Sequence, residues 1–145
     1  SELTEDYWRD YLKNLGDFIV LDPVFWFESR NVGGGCPPIE TEDGWLFIYH
    51  AVEDTPSGKI YHTAAALLDL KNPLKVLGRL TEPLFSPKAP WEKSGITDNV
   101  VFPTGAVVRN KRLHIYYGAA DKLIAAKSID VTELLTELKK SSLKL

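Results

Sequence analysis

A histidine, an aspartate and an arginine stand at points of this sequence where side chains can meet a ligand. His50 closes the apolar run WLFIYH, where an imidazole either hydrogen-bonds locally or faces a bound group. Asp121 follows IYYGAA at the passage from strand to loop. A carboxylate there can accept two hydroxyl hydrogen bonds at once, and the same residue type also settles turns by bonding its own backbone. Arg30 and Asn31 precede VGGG; a guanidinium grips phosphate well, although a solvated charge reads the same way. Tyr117 and Trp45 carry rings that can stack on a sugar, while burial is the commoner fate of such aromatics. Gly33, Gly34 and Gly35 do not make a nucleotide-phosphate loop, because Pro37 and Pro38 oppose the helix that must follow one. They read as tight backbone turns. His62 and His114 show strand-surface placement only, Glu53 and Asp54 read as a polar loop, and no acid or histidine spacing suggests a metal site.

These residues need elements to hold them. Residues 4–15, TEDYWRDYLKNL, read as a short helix capped by Thr4 and stopped by Gly16, with Tyr7, Tyr11 and Leu15 on one stripe. The pattern then changes to short β-branched and aromatic runs at 18–21, 45–52, 60–69, 105–110, 112–120 and 123–130, parted by Gly, Pro, Asn and Asp. Such spacing predicts an all-β protein. Residues 131–140 return to a helical period, with Thr132 as cap and Lys139–Lys140 closing.

An internal repeat organises the strands. Residues 37–52 and 103–120 each run from proline through a polar turn into a strand, and Leu46, Ile48 and Tyr49 recur as Leu113, Ile115 and Tyr116. On that register Tyr117 is the counterpart of His50. Repeated small antiparallel sheets are what propeller blades look like, with residues 70–99 as a long insertion between them. The expected fold is a partial β-propeller of about two to two and a half blades with short terminal helices. Its units are 1–36 (helix plus part of a blade), 37–100 (a blade) and 101–145 (a blade with the C-terminal helix). A β-sandwich is the competing architecture. So few blades leave faces and edges uncovered, so either another part of the protein or self-association is expected to cover them. The absence of methionine points the same way, toward a processed or truncated start.

Bulk composition excludes several classes. The 20 acidic and 17 basic residues give a net charge of −3, which offers nucleic acid no cationic face. No apolar stretch is long enough to span a membrane, and residues 1–10 are unlike a secretory leader. Cys36 is the single cysteine, so no internal disulfide forms, and a cytoplasmic location is expected.

The segments GGGCPPIETEDGWLFIYHAV, YHTAAALLDLKNP, VLGRLTEPLFSP, NVVFPTGAVV and IYYGAAD, in order from about Asp22 to about Glu137, resemble the second half of glycoside hydrolase family 130. That family holds β-mannoside phosphorylases and related mannosidases, built as five-bladed propellers with the active site at the central opening. The resemblance implies a first half outside this sequence, which would carry the general-acid aspartate, so no catalytic residue is assigned here. It implies that His50, of the Tyr49–His50 pair, helps hold phosphate, with Arg30 and Asn31 beside it. It implies that Asp121 binds mannose hydroxyls, with Tyr117 and Tyr49 as further substrate contacts. The sequence departs from the family pattern twice: Ala51 stands where Gly usually follows the Tyr-His pair, and Asn31 where phosphorylases usually have Lys. The expected reaction is phosphorolysis of a β-mannoside to mannose 1-phosphate, with inorganic phosphate as co-substrate and no cofactor. Hydrolysis by the same fold, or a sugar-binding fragment without activity, are the alternatives.

Overall fold

The computed structural model describes residues 3–141. Helix α1 (Glu5–Lys13) starts where Thr4 Oγ1 accepts the Tyr7 N–H at 3.2 Å. It does not stop at Gly16: a 3-10 turn over Leu15–Phe18 follows it, and the predicted strand at 18–21 does not form. A second 3-10 turn spans Trp26–Glu28.

The first sheet contains β1 (Asn31–Gly34), β2 (Ile39–Thr41), β3 (Gly44–Thr55), β4 (Gly58–Leu68) and β5 (Val76–Arg79). Its order is β1-β3-β4-β5, all antiparallel, with β2 also paired to β3. Asn31–Gly34 are thus hydrogen-bonded into the sheet of the 37–100 segment. After a short helix α2 (Pro90–Lys93), the second sheet runs β6 (Val101–Arg109), β7 (Arg112–Ala119) and β8 (Leu123–Asp130) in order. Asn110 and Lys111 take the left-handed conformation (φ 50° and 61°) that a tight hairpin between right-twisted strands requires. Helix α3 (Val131–Ser141) closes the described chain. Its cap is Asp130 rather than Thr132: Asp130 Oδ1 accepts the N–H groups of Thr132 and Glu133 at 2.8 and 3.1 Å.

Two apolar layers hold the sheets. Leu46, Ile48, Ala65 and Leu67 of the first sheet pack against Leu113 and Ile115 of the second, with Leu134 and Leu138 of α3 filling the end. The opposite face of the first sheet, with Tyr49, Ala51, Ala64 and Ala66, is covered by Phe27 and the segment before it.

The way these faces correspond decides between sandwich and propeller. In the first sheet the Tyr49 hydroxyl donates to Glu28 at 2.8 Å, and in the second the Tyr117 hydroxyl donates to Glu92 at 2.6 Å. Each glutamate lies on the short helical turn before its sheet. Tyr117, not Tyr116, is therefore the structural counterpart of Tyr49, one residue away from the register that the sequence repeat suggests. A one-residue slip in a strand reverses its faces. The Tyr117 face of the second sheet lies on the first sheet's face that points away from Tyr49, so like faces stack head to tail. Successive blades repeat in that way, and the fold is a partial β-propeller.

Candidate functional site

The site grows from the pairing of β1 with β3. Gly33 lies opposite His50 in the ladder, and the imidazole lies flat over the space where a Cβ of residue 33 would be. Gly33 and Gly34 are therefore strand residues, not a turn, and a side chain at 33 would strike the His50 ring. Phe102, at the start of β6, packs on the imidazole with ring centroids 4.3 Å apart, and the Tyr61 ring centroid lies 6.4 Å away. The His50 Nδ1–H donates to the Gly34 carbonyl oxygen at 3.0 Å. Half-burial of the ring lowers the His50 pKa, against the smaller opposing effect of that carbonyl. His50 is thus a neutral imidazole, fixed in orientation by three neighbours.

Asn31 pairs with Val52, two residues along β3 from His50, so it shares the His50 face about 6–7 Å along the ladder. Arg30 lies just before β1, and its Nη1 is 3.3 Å from both carboxylate oxygens of Asp54. Both partners are about half exposed. The structure therefore gives Arg30 an acidic partner of its own, while Asn31 and His50 share one face.

Asp121 comes to the same end of the molecule by another route. Phe102 pairs with Gly118, and three residues beyond Gly118 the β7–β8 connection turns through Ala120 and Asp121, both left-handed (φ 49° and 51°). The buried Ala120 anchors this turn: its N–H donates to Val100 O at 3.1 Å, and its carbonyl accepts the N–H groups of Ile96 and Thr97 at 2.9 and 3.2 Å. Asp121 itself is exposed on this rigid base. Asn99, also left-handed, accepts the Tyr61 N–H at 2.9 Å and ties the start of β6 to β4. One rim so gathers Asn31, His50, Tyr61, Asn99, Phe102 and Asp121. Groups that accept hydrogen bonds, with aromatic rings beside them, can hold a hydroxyl-rich ligand or a protonated oxyanion.

Two expected substrate contacts are not available. Tyr49 is 0% and Tyr117 is 2% exposed, and each hydroxyl is bonded to a buried glutamate. Burial, with the nearby carboxylate, pushes both phenols well above their usual range. These are core side chains: the repeat register sets Tyr117 against His50, whereas alternation puts Tyr49 on the face away from its neighbour His50.

His62 was also misjudged. It is buried, with Nδ1 2.8 Å from Ser86 Oγ and Nε2 3.2 Å from Glu53 Oε2, and Trp26 and Phe27 stand edge-on to its ring. Burial lowers its pKa against the raising effect of Glu53. Its pairing with Ala51 puts it on the face away from His50, which alternation from Tyr61 would have shown. A groove of about 460 Å³ between residues 80–84 and α3 lies at the other end of the sheets. No helix among the described residues is long and apolar enough to cross a membrane.

Known proteins resemble this chain in sequence and in fold. A sequence profile of glycoside hydrolase family 130, described as beta-1,4-mannooligosaccharide phosphorylase, matches residues 6–140. The 1,2-beta-oligomannan phosphorylase of Thermoanaerobacter sp. (strain X514) is 42% identical over 135 residues, which is 89% of this chain and 44% of that protein. The beta-1,2-mannobiose phosphorylase of the same organism is 46% identical over 104 residues, 72% of this chain and 33% of that protein. The solved beta-1,2-mannobiose phosphorylase from Listeria innocua, in complex with beta-1,2-mannobiose, superposes with a TM-score of 0.74 at 41% identity. That match covers 84% of this chain and 33% of the other. The chain spans less than half the length of each of these relatives.

Proposed function

The chain belongs to glycoside hydrolase family 130, and from that premise we propose that it forms the phosphate- and mannose-facing part of a β-mannoside phosphorylase. The reaction is attack of inorganic phosphate on the anomeric carbon of a β-mannoside. The glycosidic C–O bond breaks, the leaving oxygen takes a proton, and mannose 1-phosphate is released with inversion. The observation that carries the proposal is the His50–Gly33–Phe102 stack, within a sequence 42% identical to a named oligomannan phosphorylase.

In this reading His50 and Asn31 face phosphate, and Arg30 joins them by leaving Asp54, which its exposed position permits. Asp121 accepts two hydroxyl hydrogen bonds from the mannose ring next to the broken bond. The general acid comes from the part of the enzyme outside this chain, as a carboxyl group near the scissile oxygen. That part also covers the outer face of the second sheet, where Val107, Tyr116 and Ile124 are exposed. Phosphate is the co-substrate, no cofactor takes part, and the cytoplasm is the proposed location because the lone Cys36 needs no oxidising compartment.

The test is phosphate dependence. The chain is mixed with the remaining segment of a relative and given β-1,2-mannobiose, with and without phosphate. Mannose 1-phosphate only when phosphate is present is the expected result. Free mannose at the same rate in both would assign hydrolysis instead.

A further inference from the structure

The contacts that fix His50 also fix which of its nitrogens carries the proton. Nδ1 lies 3.0 Å from the Gly34 carbonyl oxygen, and a carbonyl can only accept, so Nδ1 holds the hydrogen. Among the described residues Nε2 has no hydrogen-bond partner and is not fully buried, so it keeps access to an added ligand. Gly33 and Phe102 both pack against the ring and restrict its movement. A neutral imidazole held in this way offers an incoming ligand a lone pair at Nε2.

We propose that His50 acts at the phosphate site as a hydrogen-bond acceptor, taking the P–OH proton of hydrogen phosphate at Nε2, and so makes the site select phosphate over sulfate. This inference rests on the reading of His50 as a phosphate ligand and specifies the polarity of that contact. Hydrogen phosphate keeps one proton near neutral pH, and arsenate does too, whereas sulfate is fully deprotonated. Sulfate presents only acceptor oxygens to Nε2, leaving two lone-pair atoms opposed and the imidazole without a partner. No bond to phosphorus changes and no proton is transferred; the P–OH hydrogen stays on oxygen and is shared with nitrogen. The lowered affinity of the ring for protons agrees with this polarity, because a cationic histidine would welcome either anion. Gly33, Gly34 and Phe102 are positioning residues in this account.

The experiment uses the chain itself, labelled with ¹⁵N at histidine. The sequence has three histidines, and the His50 signals are those lost in His50→Gln. The free protein is expected to show a protonated Nδ1 and an unprotonated Nε2 at pH 7. Phosphate and arsenate are expected to shift the Nε2 signal with at least about 10-fold tighter apparent affinity than sulfate, since a site built around a ligand hydroxyl rejects an analogue lacking it. In His50→Gln, whose amide both donates and accepts, the ratio read by anion-dependent thermal stabilisation falls toward 1. Equal affinity for sulfate and phosphate, or a ring protonated on both nitrogens when phosphate is bound, overturns the polarity but leaves His50 as a phosphate ligand. If no anion moves the Nε2 signal, both the polarity and the phosphate reading fall.

Discussion

The two blades use the same internal device with different parts. In the first, Glu28 Oε2 accepts the N–H groups of Val24 and Phe25 at 2.8 and 3.1 Å, and Oε1 meets Tyr49 and Arg79 at 2.8 and 2.7 Å. In the second, Glu92 Oε2 accepts the N–H groups of Lys88 and Ala89 at 2.7 and 2.9 Å, and Oε1 meets Tyr117 and Lys127 at 2.6 and 3.1 Å. Each glutamate so ties the loop before a blade to the tyrosine of its central strand. The cation comes from different places. Arg79 lies on β5, paired with Ala66 of β4, while the second sheet, three-stranded among the described residues, takes Lys127 directly from β8. Arg79 is 4% exposed and Lys127 is 34% exposed. Arg79 is enclosed by Phe25, Tyr49 and the Asp22 carbonyl, whereas Lys127 keeps contact with water.

The largest effect is expected at Glu28. Glu28→Ala leaves the Arg79 guanidinium buried and without its carboxylate, a loss of about 3–5 kcal/mol measured by urea denaturation. Glu92→Ala is expected to cost about 1–3 kcal/mol, because Lys127 can turn to water. Equal losses would show that exposure of the cation does not separate the blades.

The comparison sharpens at low pH. Burial alone would raise the Glu92 pKa, but the hydrogen bonds from Tyr117, from the Lys88 and Ala89 N–H groups and from Lys127 bring it down to about 2. A carboxylate whose folded pKa is depressed stabilises the fold above its unfolded pKa, and that contribution is lost as pH falls through the folded value. The stability difference between the native chain and Glu92→Gln should accordingly be full at pH 6 and shrink between about pH 4.5 and 2. A difference unchanged over that range contradicts the assignment. Smaller still is Tyr117→Phe, at about 1–2 kcal/mol for the hydroxyl donated to a charged group. In the assembled enzyme it should leave the KM for mannoside unchanged, and a raised KM would return Tyr117 to the site. Asp121→Asn is expected to do the opposite, with no shift in the unfolding midpoint and a several-fold rise in KM, since the residue is exposed and the amide keeps one acceptor.

Much of this was written in the chain. Alternation in WLFIYHAV and IYYGAA gave the central strands, and the cap at Thr4 and the apolar spacing in 131–140 gave the helices. The family resemblance supplied His50 and Asp121, which the fold then set along one rim. Tyr117 was lost to one residue of register, because LFIYH and LHIYY align best as text at a spacing that reverses the faces, and Tyr49 was lost because it adjoins His50 in sequence but lies on the opposite face. Side-chain chemistry decides that register, through Tyr49 to Glu28 and Tyr117 to Glu92, and those partners lie 21 and 25 residues away. Residues 70–99 looked like an insertion because Arg79 reaches Glu28 and Tyr49, and Glu92 reaches Tyr117, across 25 residues or more. Alternation could have given the face of His62 but not its partners, since Ser86 and Glu53 flank it only once β4 is paired.

The most direct measurement is a chimera in which this chain replaces the corresponding segment of the Listeria innocua beta-1,2-mannobiose phosphorylase. It is assayed for mannose 1-phosphate beside its His50→Ala and Asp121→Asn variants, with folding checked by thermal unfolding. The account predicts that the chimera makes mannose 1-phosphate and that both variants fold normally, His50→Ala losing most of that activity and Asp121→Asn showing a several-fold higher KM for mannoside. A chimera whose activity is untouched by either substitution would contradict the claim that this chain supplies the phosphate and mannose contacts.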